Sequence, residues 1–279
     1  MVDPAANVVL LTGLPRSGST LVCHLLSTLP GLVALHEPMK VGAWKGLDRP
    51  RVLSEIQAFI LESRRTLLAS GTAPSKQFEG VVPDNPIEER PLEAGLRKSV
   101  VSLGEIAVTK PLAPDFLLAI KHNAAFAALL ENLVSHYRCY GIIRNPLALL
   151  ASWQTVDIPI QQGRIPAAER LNPGLHAELD AIPDRLGRQF HILNWYFGQF
   201  EKFLPGADLL RYEELIASRG KSLQSVFDGA KTLDVALTSR NRNPLYCTKH
   251  YQEIGQRLLD SDGSYWRFYT KFDVECLLT

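Results

Sequence analysis

Apolar and polar positions divide the chain into short, wholly apolar runs and longer stretches with helical spacing. Val8-Val9-Leu10-Leu11, Leu32–Leu35, Phe116–Ile120 and Tyr137–Ile143 are of the first kind, as expected of strands buried on both faces of a parallel sheet. Ile106–Val108 is a shorter run of the same type, and Asp208–Tyr212, with Leu209 and Leu210 at its centre, reads as a final short strand. Helical spacing marks Thr20–Thr28, with Leu21, Leu25 and Leu26 on one face, and Leu53–Leu68, with Leu53, Ile56, Ile60 and Leu67 together. Ala124–Val134 is apolar and helix-forming, and Pro146 suits the first position of a helix reaching Trp153. Pro183 opens a long amphipathic helix whose stripe of Leu186, Phe190, Leu193, Phe197 and Phe200 is assigned to the core. Further helices are predicted from Glu213, over Leu223–Ala230 and over Gln252–Leu259. Residues 70–98 and 155–183, broken by prolines and glycines, are predicted as irregular segments facing a substrate, with a solvated insertion as the alternative for the first. Strands alternating with helices define an α/β chain with a mainly parallel sheet covered on both faces. No linker interrupts residues 1–279, so one domain is expected.

Composition narrows the field. A hydrophobic fraction of 46%, 21% charged residues and a net charge of +1 describe a globular protein without the charge for a broad nucleic-acid or anionic-membrane surface. No apolar run approaches the ~18 residues of a membrane span, and Asp3 and Pro4 stand where a signal peptide would be basic and apolar. Cys23, Cys139, Cys247 and Cys276 form no C-x-x-C pair. Reduced, mostly buried thiols and a cytoplasmic location are the expectation.

The candidate chemistry begins after the first strand. VVLLTGLPRSGST, residues 8–20, reads as strand, glycine-containing loop, hydroxyl cluster and helix, the layout in which backbone N–H groups and a helix N-terminus face an anion. Gly13, Gly18 and Thr20 fit the spacing G-x-x-x-x-G-K-[ST], but Ser19 replaces the phosphate-binding lysine and Arg16 is the nearby cation. The fold expected is therefore a three-layer α/β/α arrangement like that of the P-loop nucleoside-triphosphate hydrolases. The other strand ends carry His36-Glu37-Pro38, Lys121-His122-Asn123, Arg144-Asn145-Pro146 and Arg211-Tyr212. Ligands bind beyond such ends in parallel sheets. Cations at Lys121 and Arg144, where a carboxylate for Mg²⁺ would be expected, suit a second anionic group bound without a metal.

PRSGST between an apolar strand and a helix resembles the 5′-phosphosulfate loop of sulfotransferases that use 3′-phosphoadenosine 5′-phosphosulfate (PAPS). Arg144, with Ser152 eight positions on, is similar to that family's 3′-phosphate site, and Arg211-Tyr212-Glu213-Glu214-Leu215 to its R-Y-E-D-L stretch, whose tyrosine lies by the adenine. The resemblance spans about Val8–Leu215. It implies PAPS as donor, PAP as product and no metal. It also implies cofactor contacts from Pro15, Arg16, Ser17, Gly18, Ser19, Thr20, Arg144, Ser152 and Tyr212.

Transfer of a sulfuryl group to an acceptor hydroxyl or amine needs a base and cations that stabilise the departing oxygens. Glu37 resembles the catalytic glutamate of tyrosylprotein and heparan N-sulfotransferases and the E-P of carbohydrate 6-O-sulfotransferases, and is favoured. His122, near the K-x-H histidine of cytosolic members but in K-H-N, is the competitor, with capping of the next helix as its other reading. Pairing with Lys40 is the corresponding structural reading for Glu37. Arg16 is the loop's cation and Lys121 a candidate partner of the leaving phosphate. Ser239–Asn243 is read either as a basic loop over the 3′-phosphate or as exposed surface. The acceptor, a small molecule or carbohydrate, is expected to meet Trp44, Phe78 or Trp153. The rival functions are a P-loop kinase using ATP–Mg and a catalytically silent nucleotide-binding module.

Overall fold

The computed structural model describes residues 7–91, 95–246 and 250–279; Asp3, Pro4 and Cys247 lie outside them. The main sheet contains β1 (Val8–Gly13) and β2 (Leu32–His36), and a separate antiparallel pair is formed by β3 (Thr72–Gln77) and β4 (Ser102–Ala107). The main sheet is completed by β5 (Leu117–Lys121), β6 (Arg138–Ile143) and β7 (Leu209–Arg211), in the order β2-β5-β1-β6-β7, all parallel. Every residue of β1 and β2 is buried, which is why these strands read as unbroken apolar runs rather than as alternations.

Helices flank this sheet as α1 (Ser19–Ser27), α2 (Arg49–Ser70), α3 (Asn123–Ala128), α4 (Leu130–Leu133), α5 (Pro146–Trp153) and α6 (Pro166–Leu171). They continue as α7 (Pro173–Ala181), α8 (Arg185–Phe203), α9 (Tyr212–Ala217), α10 (Tyr251–Leu259) and α11 (Lys271–Leu278). The expected three-layer α/β/α fold is the one found. α5 begins where its sequence says it should: the Asn145 side chain accepts from the N–H groups of Leu147 and Ala148, and Pro146 occupies the first turn. All eight of its residues are buried. In α8 Leu193, Phe197 and Phe200 of the expected stripe are fully enclosed, while Leu186 and Phe190 are half-buried and packed against the core.

Several elements differ from expectation. Residues 70–98 are not wholly irregular, because β3 lies within them; Pro74 and the polar Ser75 and Lys76 conceal a strand whose Ala73 and Ser75 alternate inward. A two-stranded pair tolerates a proline that a central strand would not. Residues 155–183 contain α6 and α7, each started by a proline, and a 3-10 turn at Pro159–Gln162. The predicted helix over Ala124–Val134 breaks into α3 and α4, and Leu223–Ala230 is replaced by two 3-10 turns, Lys221–Ser225 and Asp228–Thr232. α11 had no counterpart in the sequence reading. The amphipathic helix starts after Pro183, with Asp184 as its cap.

Strand register brings the chemistry to one edge. Leu11 and His36 both sit opposite Lys121, Gly13 sits opposite Ile142, and Ile143 opposite Arg211. The residues following β1, β2, β5, β6 and β7 therefore line a single crevice at the carboxyl end of the sheet, with the loop after β1 at its centre.

Candidate functional site

The loop after β1 is tightly constrained. Gly18 has φ +90°, and a Cβ there would stand 2.7 Å from the Tyr212 ring. A Cβ on Gly13 would meet Ser17 Oγ at 2.8 Å and the Ile142 carbonyl at 2.9 Å. Arg16 itself has φ +71°, a conformation costly for a residue with a side chain. The surroundings hold it there: Arg144 Nη1 donates to the Arg16 carbonyl at 2.9 Å, and Trp153 Nε1 to that of Pro15 at 2.7 Å. No side chain caps the start of α1, so Ser19 and Thr20, both buried, open the helix with donor groups not supplied by a cap. Beside them Ser17 Oγ is buried without a hydrogen-bond partner among the described residues.

A cationic cluster adjoins the loop. Arg144 is buried, donates through Nε to Asn241 Oδ1 at 2.7 Å, and lies 4.6 Å from the Tyr212 ring centre. Its Nη2 is buried with no partner among the described residues. Asn241 is held in turn by Glu213 Oε1 at 2.8 Å, which also accepts from the Asn145 N–H; Tyr269 OH donates to Glu213 Oε2. Arg16 turns its guanidinium to this side, with Nε 3.4 Å from Ser152 Oγ and Nη1 3.1 Å from Asn85 Oδ1. Burial lowers the Arg16 pKa to about 10, Tyr246 opposing and Arg97 and Arg144 adding to the effect.

Arg97 completes the cluster and was missed in the sequence. It is buried, and Nη2 donates to Thr155 Oγ1 at 2.6 Å. It stands in a polar segment with nothing local to mark it; only the pairing of its backbone with Thr155 and Asp157 brings it to the crevice. The hydrogen-bond acceptors recorded for these three arginines are carbonyl, amide and hydroxyl oxygens. Two buried arginines and the half-buried Arg16, with no carboxylate among those partners, suit an anion.

A second constellation lies at the ends of β2 and β5. Glu37, at φ +43°, donates its N–H to the Lys121 carbonyl at 2.7 Å. Its Oε1 accepts from Lys121 Nζ at 2.8 Å and its Oε2 from Lys76 Nζ at 2.6 Å. Lys76, not Lys40, is thus the added partner, delivered by β3, where Ser75 Oγ accepts from the His36 N–H at 3.0 Å. Burial pushes the Glu37 carboxyl up, but Lys121 and Lys76, helped by His122 and His36, hold it well below the usual carboxylate range. Burial lowers Lys121, against the pull of Glu37. His122 caps no helix through its side chain; its Nε2 lies 3.2 Å from the Met39 carbonyl, which fixes the proton on Nε2 because a carbonyl only accepts. Burial lowers its pKa, and Glu37 opposes. Asn123 Oδ1 is buried nearby without a partner among the described residues.

Loop, arginines and Glu37 line one cleft of about 680 Å³. Its remaining wall is built by both segments expected to face a substrate: Asn85, Ile87 and Arg97 from one, Ile158, Ile160 and Ile165 from the other. Trp44, Phe78 and Trp153 do not line it. Trp153 is fully buried under the loop, Trp44 is in the core, and Phe78 is exposed on the surface. Ser239–Asn243 is applied to the cleft rather than merely exposed: the Arg240 N–H donates to Tyr212 OH at 2.9 Å, and Arg240 pairs with Glu89. Among the described residues no helix is long and apolar enough to cross a membrane. Among the described residues, no group of three or more His, Cys, Asp or Glu is placed to hold a metal ion. No protein-family model matches the chain, and no curated protein shows significant sequence similarity to it.

Proposed function

We propose that the protein is a PAPS-dependent sulfotransferase acting in the cytoplasm on a small-molecule or carbohydrate acceptor. The observation that carries this reading is the cluster of Arg16, Arg97 and Arg144 beside the glycine loop, with the buried Arg144 Nη2 and Ser17 Oγ lacking partners among the described residues. A nucleotide with anions at two separate places fits this pair of features. A nucleoside triphosphate concentrates its charge at one end and leaves the arginines unused. Residues 15–20 and the start of α1 would hold the phosphosulfate. Arg144, Ser152, Arg97 and Arg16 would hold the 3′-phosphate, each charge-assisted hydrogen bond contributing about 1.5–3 kcal/mol.

The donor supplies an activated sulfuryl group; the chain supplies the rest. Glu37 is ionised across the physiological range, in the form that accepts a proton. A carboxylate held so low is a weak base, so the acceptor's proton leaves late, once bonding to sulfur has acidified the hydroxyl. Lys121 fixes Glu37 and places a cation where charge develops on the leaving phosphate. The deciding experiment is a thermal-shift comparison of adenosine 3′,5′-bisphosphate, AMP and ATP–Mg. The bisphosphate is expected to stabilise most; equal or greater stabilisation by ATP–Mg would sink the proposal.

A further inference from the structure

The Arg16 guanidinium is held by Asn85, in the stretch between β3 and β4. Asn85 Oδ1 accepts from Arg16 Nη1 at 3.1 Å and from the Ile87 N–H at 3.3 Å. The second bond closes a turn around Pro86, the local bond that an asparagine side chain offers the backbone two residues on. Both partners are donors, and neither a guanidinium nor a backbone N–H can accept. Only the oxygen end of the amide fits between them, so its neighbours fix the orientation of Asn85.

The turn roots the ribbon that carries Arg97. Beyond it the Glu88 N–H donates to the Lys98 carbonyl and the Val100 N–H to the Pro86 carbonyl, both at 3.0 Å, with Ile87 opposite Ser99. The far side of this ribbon begins at Arg97, whose N–H donates to the Thr155 carbonyl at 3.1 Å and whose carbonyl accepts from the Asp157 N–H at 2.8 Å. One oxygen atom thus joins the guanidinium of Arg16 to the element that presents Arg97. Asn85 and both arginines line the cleft.

The charge of that oxygen matters as much as its place. Arg16 is half-buried, and its other side-chain contact, through Nε at 3.4 Å, is with Ser152 Oγ. A carboxylate at position 85 would hold the same two donors in the same geometry but would spend the charge of Arg16 on an ion pair. A neutral amide holds the guanidinium and leaves its charge for a ligand.

We propose that Asn85 is the positioning residue of the second-phosphate site: its amide oxygen sets the Arg16 guanidinium against the ribbon bearing Arg97 and, being neutral, keeps that cation available to the anion. This rests on the reading of the cluster as a 3′-phosphate site. A residue kept only to close the turn around Pro86 would serve equally well as aspartate, so that substitution separates the two roles.

The test is calorimetric titration of the natural chain, Asn85→Asp and Asn85→Ala with adenosine 3′,5′-bisphosphate and with AMP, alongside their melting temperatures. Asn85→Asp keeps both acceptor bonds and adds an ion pair, so it should melt no lower than the natural chain. It should nevertheless bind the bisphosphate about 10- to 100-fold more weakly, with a smaller loss for AMP. Asn85→Ala frees the guanidinium without neutralising it and should lose about three- to tenfold for the bisphosphate. Bisphosphate affinity retained in Asn85→Asp, or a loss no greater than that in Asn85→Ala, would overturn the inference. If Asn85→Asp does not fold, Asn85→Ala decides: a loss for the bisphosphate that exceeds the loss for AMP sustains the positioning role, and equal losses overturn it. A preference for the bisphosphate over AMP that survives unaltered in every variant would leave the sulfotransferase reading standing without Asn85. Absence of that preference in the natural chain would remove both.

Discussion

Glu37 and Lys121 are joined twice, once through the backbone, where the Glu37 N–H meets the Lys121 carbonyl at 2.7 Å, and once through the side chains, where Oε1 meets Nζ at 2.8 Å. The double link extends the β2–β5 ladder by one residue past His36 and holds Glu37 at a positive φ that an unconstrained glutamate would avoid. The carboxylate is thereby aimed before any ligand arrives, which is what preorganised proton transfer requires.

If Glu37 is the base, Glu37→Gln should lower kcat by about 10²–10⁴ while affinity for adenosine 3′,5′-bisphosphate stays within about twofold. His122→Ala should then cost less than tenfold. The reverse ranking would transfer the role to His122; losses below tenfold in both would remove a general base from this edge altogether. Lys121→Met is expected to impair kcat as well, since it both frees Glu37 and removes a buried cation.

His36 gives a prediction for stability. Burial, reinforced by Lys121, pushes its pKa down to about 2, so the folded imidazole stays neutral where the unfolded one takes a proton. Between about pH 6.5 and pH 2 the unfolded state binds more protons, and unfolding free energy falls as pH falls, by up to about 1.4 kcal/mol per unit from this group. Urea unfolding of the natural chain should show a decline from pH 7 to pH 4 that His36→Gln makes shallower. An identical slope in the variant would show that His36 takes up its proton alike in the folded and unfolded protein.

Gly18→Ala tests the loop geometry. Strain at φ +90° and a Cβ 2.7 Å from the Tyr212 ring should together cost about 1–3 kcal/mol, read from the urea midpoint. Because Tyr212 also faces Arg144, the same change should weaken bisphosphate binding more than AMP binding. A neutral effect on stability would mean that the loop has room to relax.

The sheet was legible because β1, β2, β5 and β6 are buried so thoroughly that their sequences leave no other reading, and because loops at strand ends in a parallel sheet share one edge. Glu37, Lys121 and Arg144 were legible for the same reason, and Ser152 only through the resemblance that pairs it with Arg144. Lys76 and Arg97 were not. Lys76 rides on a strand disguised by Pro74, and Arg97 arrives through backbone pairing with residues nearly 60 positions away. Their positions are set by tertiary packing, and no spacing in the sequence encodes it. The same limit applies to Trp153, an aromatic residue of α5 whose indole is buried under the loop, on the Pro15 carbonyl, rather than in the cleft.

Arg97 separates binding from stability most sharply. It is buried beside Arg16 and Arg144; Arg97 and Arg144 both disfavour the charge on Arg16, and Arg144 disfavours that on Arg97. In the protein alone that arrangement is a cost, so Arg97→Met should leave the melting temperature unchanged or raise it, despite loss of the hydrogen bonds to Thr155. With a phosphate at the cluster the sign reverses: loss of one charge-assisted contact should weaken adenosine 3′,5′-bisphosphate by about 10- to 100-fold, with AMP little affected. The pair of measurements is decisive because ordinary misfolding lowers both quantities. A melting temperature that holds while bisphosphate affinity collapses marks a residue retained for its ligand. A fall in both would place Arg97 among the structural arginines and leave Arg16 and Arg144 as the arginines of the proposed second-phosphate site.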